Sequence, residues 1–337
     1  MDSVRIDGIS VPVSRVVLGT DWLGARRFYF VAGRRIPSPF LDRKRDGHNF
    51  EVLDRVVAAG CTAFDTARAY GDSERTLGAW LRARGLRDRI VLISKGAHPG
   101  PASRSRLNAA AISRDLERSL RALQTDYIDL YLLHYDDDTT DVELLVDVLN
   151  QHVAAGRIHA IGVSNWRTRR IARAVDHART TGQKPFVVSS VQFSLATWRR
   201  SPWKDAITLS GEDSETDRQW YRTNDVWLLA YSSLAMGFFS RARPYADGGA
   251  PPRPARFGDT VFLDRENLAR LARTRELAQR LGVSPGQVAL AWVLTYDSRV
   301  IAIVGARSAE SYVDAVSACD VALTESDRMW LLRGDSA

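Results

Sequence analysis

Residues 63–134 read AFDTARAYGDSERTLGAWLRARGLRDRIVLISKGAHPGPASRSRLNAAAISRDLERSLRALQTDYIDLYLLH, and this stretch decides the fold. Three short apolar runs, AFDTA (63–67), IVLISKG (90–96) and YIDLYLLH (127–134), are separated by two amphipathic stretches, SERTLGAWLRARG (73–85) and AISRDLERSLRALQ (111–124). The runs carry the β-branched and aromatic content of strands buried on both faces. The stretches between them place apolar residues at helical spacing. Such alternation predicts parallel β/α units. The pattern extends in both directions, with VVLGT (16–20) before it and AIGVSN (160–165), FVVSSVQ (186–192), VWLLAYS (226–232) and VIAIVGA (300–306) after it. Eight such units close into a (β/α)8 TIM barrel. The competing open, doubly wound sheet would need a Gly-x-Gly-x-x-Gly after its first strand, and there is none.

The helices carry their own punctuation. Gly60, Gly85, Gly156, Gly182 and Gly282 stand just past the last apolar position of helical stretches, where C-caps belong. VRIDGISV (4–11) reads as an N-terminal β-hairpin turning at Asp7-Gly8, placed to plug the barrel's N-terminal end. Three connections, 21–48, 193–214 and 234–263, are longer than usual and follow strands, so they belong to the C-terminal rim where barrels build their sites. They include GARRFYFVAGRRIPSPF, ATWRRSPWKD and GFFSRARPYADGGAPPRP, whose aromatic content suits a lid or pocket wall. No repeat, linker or low-complexity segment interrupts the chain, and residues 1–337 are expected to form one domain.

Composition narrows the class. The chain is 45% hydrophobic and 26% charged, a globular balance that excludes disorder, collagen and coiled coil. Cys61 and Cys319 are the two cysteines, too few for a disulfide framework or a cysteine zinc site. MDSVRIDGIS lacks an apolar core and no uncharged apolar stretch approaches 18 residues, so a cytoplasmic chain with no leader or membrane span is expected. The net charge of +7 comes from arginines scattered along helical faces, as in RTRRIARAVDHAR (167–179). No concentrated basic stripe marks a nucleic-acid surface.

The ends of the strands carry the chemistry. Asp65, Lys95 and His134 close three consecutive apolar strands, and Tyr70 lies just beyond the first of them. Such groups are costly to bury unless mutually paired, and their coincidence on one rim points to a functional cluster. A free phenol titrates near 10, and a neighbouring ammonium lowers that value by favouring phenolate. Asp65 paired to Lys95 would aim the lysine at Tyr70, while His134 would hydrogen-bond a substrate carbonyl. The set suits proton donation to a carbonyl oxygen as hydride reaches its carbon.

With those residues in view the chain resembles the aldo-keto reductase superfamily. The motifs that carry the resemblance are VVLGT (16–20), FDTARAYGDSERTLGAWL (64–81), ISKG (93–96), DYIDLYLLH (126–134), GRIHAIGVSNW (156–166), VQFSL (191–195), AYSSLAMGFFS (230–240) and IVGARS (303–308). They run in order from about residue 4 to residue 320. The resemblance implies an NADP(H)-dependent reductase in which Tyr70 is the general acid, Lys95 depresses its pKa, Asp65 holds Lys95 and His134 orients the carbonyl. It implies that Ser164, Asn165 and Gln192 hold the nicotinamide carboxamide, that Tyr231 stacks on the ring, and that Gly19, Thr20 and Asp21 contact the ribose. Ser232, Ser233, Leu234 and Gly237 fall in the segment that closes over the pyrophosphate. Gly305, Ala306, Arg307 and Ser308 match the phosphate end, and Arg307 with Ser308 suggests the 2′-phosphate of NADP. The chain departs from the pattern at Ser311, where family members often have Arg or Gln, and at Ala315, where they have Asn, so these contacts are thinner here.

Arg68 is a further departure; it either binds an anionic or polyhydroxylated substrate group or points outward. Trp22 and Trp166 are candidate pocket walls, and His98 reads first as a loop residue and second as a substrate contact. A small-molecule carbonyl compound, a keto-sugar or another bulky natural product, is the expected partner. Three rival readings exist: a class I aldolase with a Lys95 Schiff base, which needs that lysine free of a carboxylate; a barrel metallohydrolase, for which the histidines lack ligand spacing; and a nucleotide-binding subunit that turns over slowly or not at all.

Overall fold

The computed structural model describes residues 2–24, 28–31, 34–37, 43–100, 105–241 and 257–334. Its strands are β1 (Ser3–Val4), β2 (Val13–Ser14), β3 (Val16–Gly19), β4 (Phe28–Val31), β5 (Arg34–Pro37), β6 (Ala63–Asp65), β7 (Val91–Gly96), β8 (Ile128–Leu133), β9 (Ile158–Ser164), β10 (Phe186–Gln192), β11 (Trp227–Tyr231) and β12 (Val300–Val304). β3 and β6 to β12 form a closed barrel in chain order, every pair parallel, with β12 returning to β3. All eight predicted strands are in it, and helices follow them around the outside.

Alternation along each strand separates two apolar layers. Val17, Ile93, Leu130, Leu132, Leu229 and Ile301 fill the barrel interior. Leu18, Phe64, Leu92, Tyr131, Leu133 and Val163 face outward into the helical layer. The helix Ser73–Arg84 stops at Gly85, whose φ of 62° lets its N–H turn back to Leu81 O. Gly282 does the same for Arg265–Leu281 with φ 68°.

The N-terminal hairpin is wider than the sequence suggests. Its strands are β1 and β2, paired Ser3 to Ser14 and Val4 to Val13. Asp7 and Gly8 turn a loop between them, closed by Ile9 N–H to Ile6 O at 3.1 Å. Register follows burial: Ile6 and Ile9 join the interior cluster and plug the barrel floor. A Cβ on Gly8 would come within 2.7 Å of His159 O, so the plug sits hard against β9.

The first long connection holds the antiparallel pair β4–β5, and the helix Arg43–Ala58 begins inside the connection drawn to residue 48. The last holds short helices at Phe238–Arg241 and Phe257–Phe262. Residues 25–27, 32–33, 38–42 and 242–256, on which much of the lid reading rests, lie outside the described residues. Among the described residues, no helix is long and apolar enough to cross a membrane.

Candidate active site

The barrel interior is apolar up to the C-terminal ends of the strands, and there it becomes polar. Asp65 ends β6, Lys95 stands one residue before the end of β7, and His134 follows β8; all three are buried. Lys95 Nζ donates to Asp65 Oδ1 at 2.6 Å and to Thr66 O at 2.9 Å. The ammonium lies 5.0 Å from the centre of the Tyr70 ring, and that ring meets His134 edge-on with centroids 5.8 Å apart. The four residues singled out from the sequence therefore share one site. His98 joins them, edge-on to His134 at 4.8 Å and to Tyr135 at 5.3 Å. Its Nδ1 lies 3.0 Å from Pro99 O.

Burial, then the carboxylates of Asp65 and Asp21, pushes the Tyr70 phenol well above its usual range. The net direction is opposite to the depression expected from Lys95. The ammonium is matched by Asp65 at contact distance, so the phenol sees a compensated pair rather than a lone cation. Burial, with Lys95 and His98 nearby, holds the His134 imidazole well below its ordinary value. His134 is therefore neutral at pH 7, and its Nδ1 is buried without a hydrogen-bond partner among the described residues.

Two hydrogen-bonded networks hold this cluster, and Thr66, Ser73, Glu74 and Ser94 in them had no role assigned from the sequence. The Thr20 hydroxyl donates to Asp65 O at 2.8 Å, and Ser73 Oγ lies 2.8 Å from Thr20 Oγ1 and 2.9 Å from Thr66 Oγ1. Glu74, wholly buried in the first turn of its helix, accepts from Arg68 Nη1 at 2.5 Å and from Ser94 Oγ at 2.8 Å. Arg68 thus neither points freely outward nor presents an unpaired charge to a substrate. The available signal was the Ser-Glu pair opening a helix whose other face is apolar.

Ser164, Asn165 and Gln192 are buried at the ends of β9 and β10. Asn165 takes a left-handed conformation, φ 59°, at the strand end. Its Nδ2 donates to His134 O at 3.3 Å and Ser164 Oγ at 3.1 Å, while Oδ1 accepts from Tyr231 OH at 2.7 Å and Ile207 N at 3.2 Å. Gln192 donates to Ser194 Oγ at 2.9 Å and accepts from the hydroxyls of Thr208 and Ser210. The segment after β10 therefore returns over the site through Ile207 to Ser210, and Trp203 packs edge-on to Tyr231 at 6.1 Å.

The rim beyond β11 has an unusual backbone. Ser232, Ala235, Met236 and Gly237 all have positive φ, between 48° and 80°. Such conformations are costly for non-glycine residues, and the segment is closed by Ala235 N–H to Ser232 O and Gly237 N–H to Leu234 O, each at 2.8 Å. Ser233 Oγ donates to Ile303 O at 2.7 Å and ties this segment to β12. At the end of β12, a Cβ on Gly305 would meet open space, and Arg307 is exposed with no ion pair among the described residues. Ser308 caps the helix Ala309–Val316 by accepting from Ser311 N at 3.2 Å. Gly19, Thr20 and Asp21 border the Tyr70 side.

One expected wall is corrected. Trp166 is 1% exposed; it packs edge-on to Phe186 in the helical layer and donates to Tyr135 O at 3.2 Å. The turn at Asn165 sends it outward, so it cannot line a substrate pocket. Trp22 is half-buried and donates to Gly19 O at 3.0 Å.

The model of the aldo/keto reductase family matches residues 38–329. Norsolorinic acid reductase B of Aspergillus parasiticus is 28% identical over 82% of this chain and 72% of its own length. An uncharacterized oxidoreductase of Mycobacterium tuberculosis is 31% identical over 97% of this chain and 91% of its own. In fold, the chain is similar to the crystal structure of a thermostable aldo-keto reductase bound to the inhibitor epalrestat, with a TM-score of 0.72, 24% identity, and coverage of 98% of this chain and 99% of that one. This chain belongs to the aldo/keto reductase family.

Proposed function

We propose that this aldo/keto reductase converts an aldehyde or ketone to the alcohol with NADP(H), with Tyr70 giving the proton to the carbonyl oxygen. The observation that carries the reading is the joining of Asp65, Lys95, Tyr70 and His134 at the C-terminal ends of three adjacent strands, above an apolar interior. NADPH, when bound, supplies the hydride. Tyr70 holds a proton that burial keeps on the phenol until an acceptor arrives. His134, neutral, hydrogen-bonds the carbonyl oxygen and orients it. Lys95, anchored by Asp65, lies over the phenol ring and stabilises the negative charge left when the proton departs.

Ser164, Asn165 and Gln192 would receive the nicotinamide carboxamide, a group needing both donors and acceptors. Tyr231 would offer its ring face, and Gly19, Thr20 and Asp21 would border the ribose. The positive-φ run around Ser232, Ser233, Leu234 and Gly237 would close on the pyrophosphate, opposite Gly305 and Ala306. Arg307, with Ser308 and Ser311 at a helix start, supports NADP over NAD, since an unpaired guanidinium suits a phosphate dianion. Trp22 remains the candidate for a substrate wall, and the relative named for norsolorinic acid supports a bulky natural-product carbonyl. The pairing of Lys95 with Asp65 counts against a Schiff-base aldolase, whose lysine must be free to attack.

Tyr70→Phe removes one hydroxyl and leaves the ring. Turnover of an aldehyde such as 4-nitrobenzaldehyde should fall by about 10²–10⁴, while NADPH affinity, read by tryptophan quenching, stays unchanged. Wild-type turnover in that variant would refute the assignment.

A further inference from the structure

We propose that Arg68 is a positioning residue for the reaction: its ion pair with buried Glu74 holds the turn that carries Tyr70 against the strand that carries Lys95. The inference rests on the reductase reading above. Arg68 lies between Asp65 and Tyr70, and its backbone N–H donates to Lys95 O at 2.9 Å. Beyond it, Tyr70 N–H closes a tight turn on Ala67 O at 2.9 Å, and Ser73 N–H returns to Tyr70 O at 3.1 Å. Glu74 follows at once. Its side chain is 0% exposed and that of Arg68 34%. One carboxylate oxygen takes the guanidinium at 2.5 Å and the other takes the hydroxyl of Ser94, the neighbour of Lys95 on β7. A single buried anion thus fastens both elements, and a carboxylate in that place requires a cation.

The strand has no room to slide away. Behind Lys95, a Cβ on Gly96 would come within 1.9 Å of the Tyr131 hydroxyl, so the Tyr131 ring packs directly on the backbone of β7. Glu74 and Tyr131 together fix the outer side of the strand whose inner side presents the ammonium. Without the guanidinium, the Glu74 carboxylate keeps the neutral Ser94 hydroxyl among the described residues, and the Tyr70 turn keeps its backbone bonds and the Ser73 hydroxyl contacts to Thr20 and Thr66. Misplacing a reacting group by about 1 Å costs on the order of a hundredfold in rate.

The test is steady-state reduction of 4-nitrobenzaldehyde and 4-carboxybenzaldehyde with NADPH by wild type, Arg68→Ala, Arg68→Lys, Glu74→Gln and the Arg68→Ala/Glu74→Gln pair. The expected result for Arg68→Ala is a fall in kcat of about ten- to a hundredfold for both aldehydes alike. KM should change by less than kcat, NADPH affinity should hold, and Arg68→Lys should recover most of the rate. Glu74→Gln should lose a similar factor even if Arg68→Ala does not fold, and the double variant should be no worse than the poorer single one, since the two act as one unit. Wild-type kcat in Arg68→Ala or in Glu74→Gln overturns the proposal. So does a loss confined to KM for the carboxylated aldehyde, which would make Arg68 an anion contact. A wild-type chain that reduces neither aldehyde refutes the reductase reading and this inference with it, an outcome distinct from active wild type with an indifferent Arg68→Ala.

Discussion

Replacing Asp65 with Ala strands the Lys95 ammonium in a place built for a pair. The two side chains are 4% and 5% exposed with nitrogen and oxygen 2.6 Å apart, and after truncation Thr66 O is the partner left among the described residues. Breaking a buried pair from one side costs about 3–5 kcal/mol, because the remaining charge is uncompensated. Unfolding entropy of about 2.1 cal/mol/K per residue gives about 0.7 kcal/mol/K for a chain of 337 residues. The melting temperature of Asp65→Ala should therefore fall by about 4–7 °C. Replacing both partners, Asp65→Leu with Lys95→Met, removes the stranded charge and should recover most of that loss. Scanning calorimetry of the three proteins beside an NADPH oxidation assay separates stability from turnover: the double variant should melt near wild type and reduce nothing. A single variant within about 1 °C of wild type would refute the stranded-charge argument. An active double variant would refute the catalytic one.

Two further perturbations probe the neighbouring groups. The folded His134 imidazole titrates well below 6.5, so the unfolded chain binds its proton first and stability contributed at neutral pH is lost as pH falls below that value. Between pH 7.5 and 5.5, wild type should lose about 1.4 kcal/mol more than His134→Gln in urea titrations; parallel curves would show that the histidine is not held neutral. Arg307→Ala removes a charge-assisted contact worth about 1.5–3 kcal/mol, so NADPH should bind about ten- to a hundredfold more weakly while NADH is little affected. Equal losses for both nucleotides, read by tryptophan quenching, would remove the 2′-phosphate from the guanidinium.

Strands buried on both faces announce themselves by composition, and every barrel strand was legible on that ground. Asp65, Lys95 and His134 were legible for the opposite reason, as polar interruptions at the ends of apolar runs. What composition cannot encode is direction. Trp166 follows a strand-end motif and reads as a rim residue, but a left-handed Asn165 turns it into the helical layer against Phe186. Nor does local pattern reveal contacts made across loops. The hydroxyls of Thr208 and Ser210 reach Gln192 from 16 and 18 residues away, and Ile207 reaches Asn165 from 42. Arg68 could be noticed as unusual from the sequence, but its partner Glu74 could not be assigned, since it lies six positions on, across a turn and a helix start.

Tyr70 shows most clearly where counting charged neighbours falls short. Beside a lysine, a phenol is expected to become more acidic, and the sequence places that lysine nearby. The structure places Asp65 on the lysine first, so the phenol meets the pair's residual field, the charge of Asp21 and a buried surrounding, all of which favour the neutral form. A phenol so held is the weaker acid, and keeping the proton until a carbonyl binds competes with giving it up once one has. A phenol depressed toward neutrality would be partly ionised while waiting, whereas a phenol held protonated is ready whenever a carbonyl binds. On the proposed mechanism Lys95, 5.0 Å from the ring centre, would stabilise the phenolate as the proton leaves. A group that stabilises the phenolate lowers the phenol's pKa by the same amount, so Lys95 offsets part of the rise that burial and the carboxylates impose.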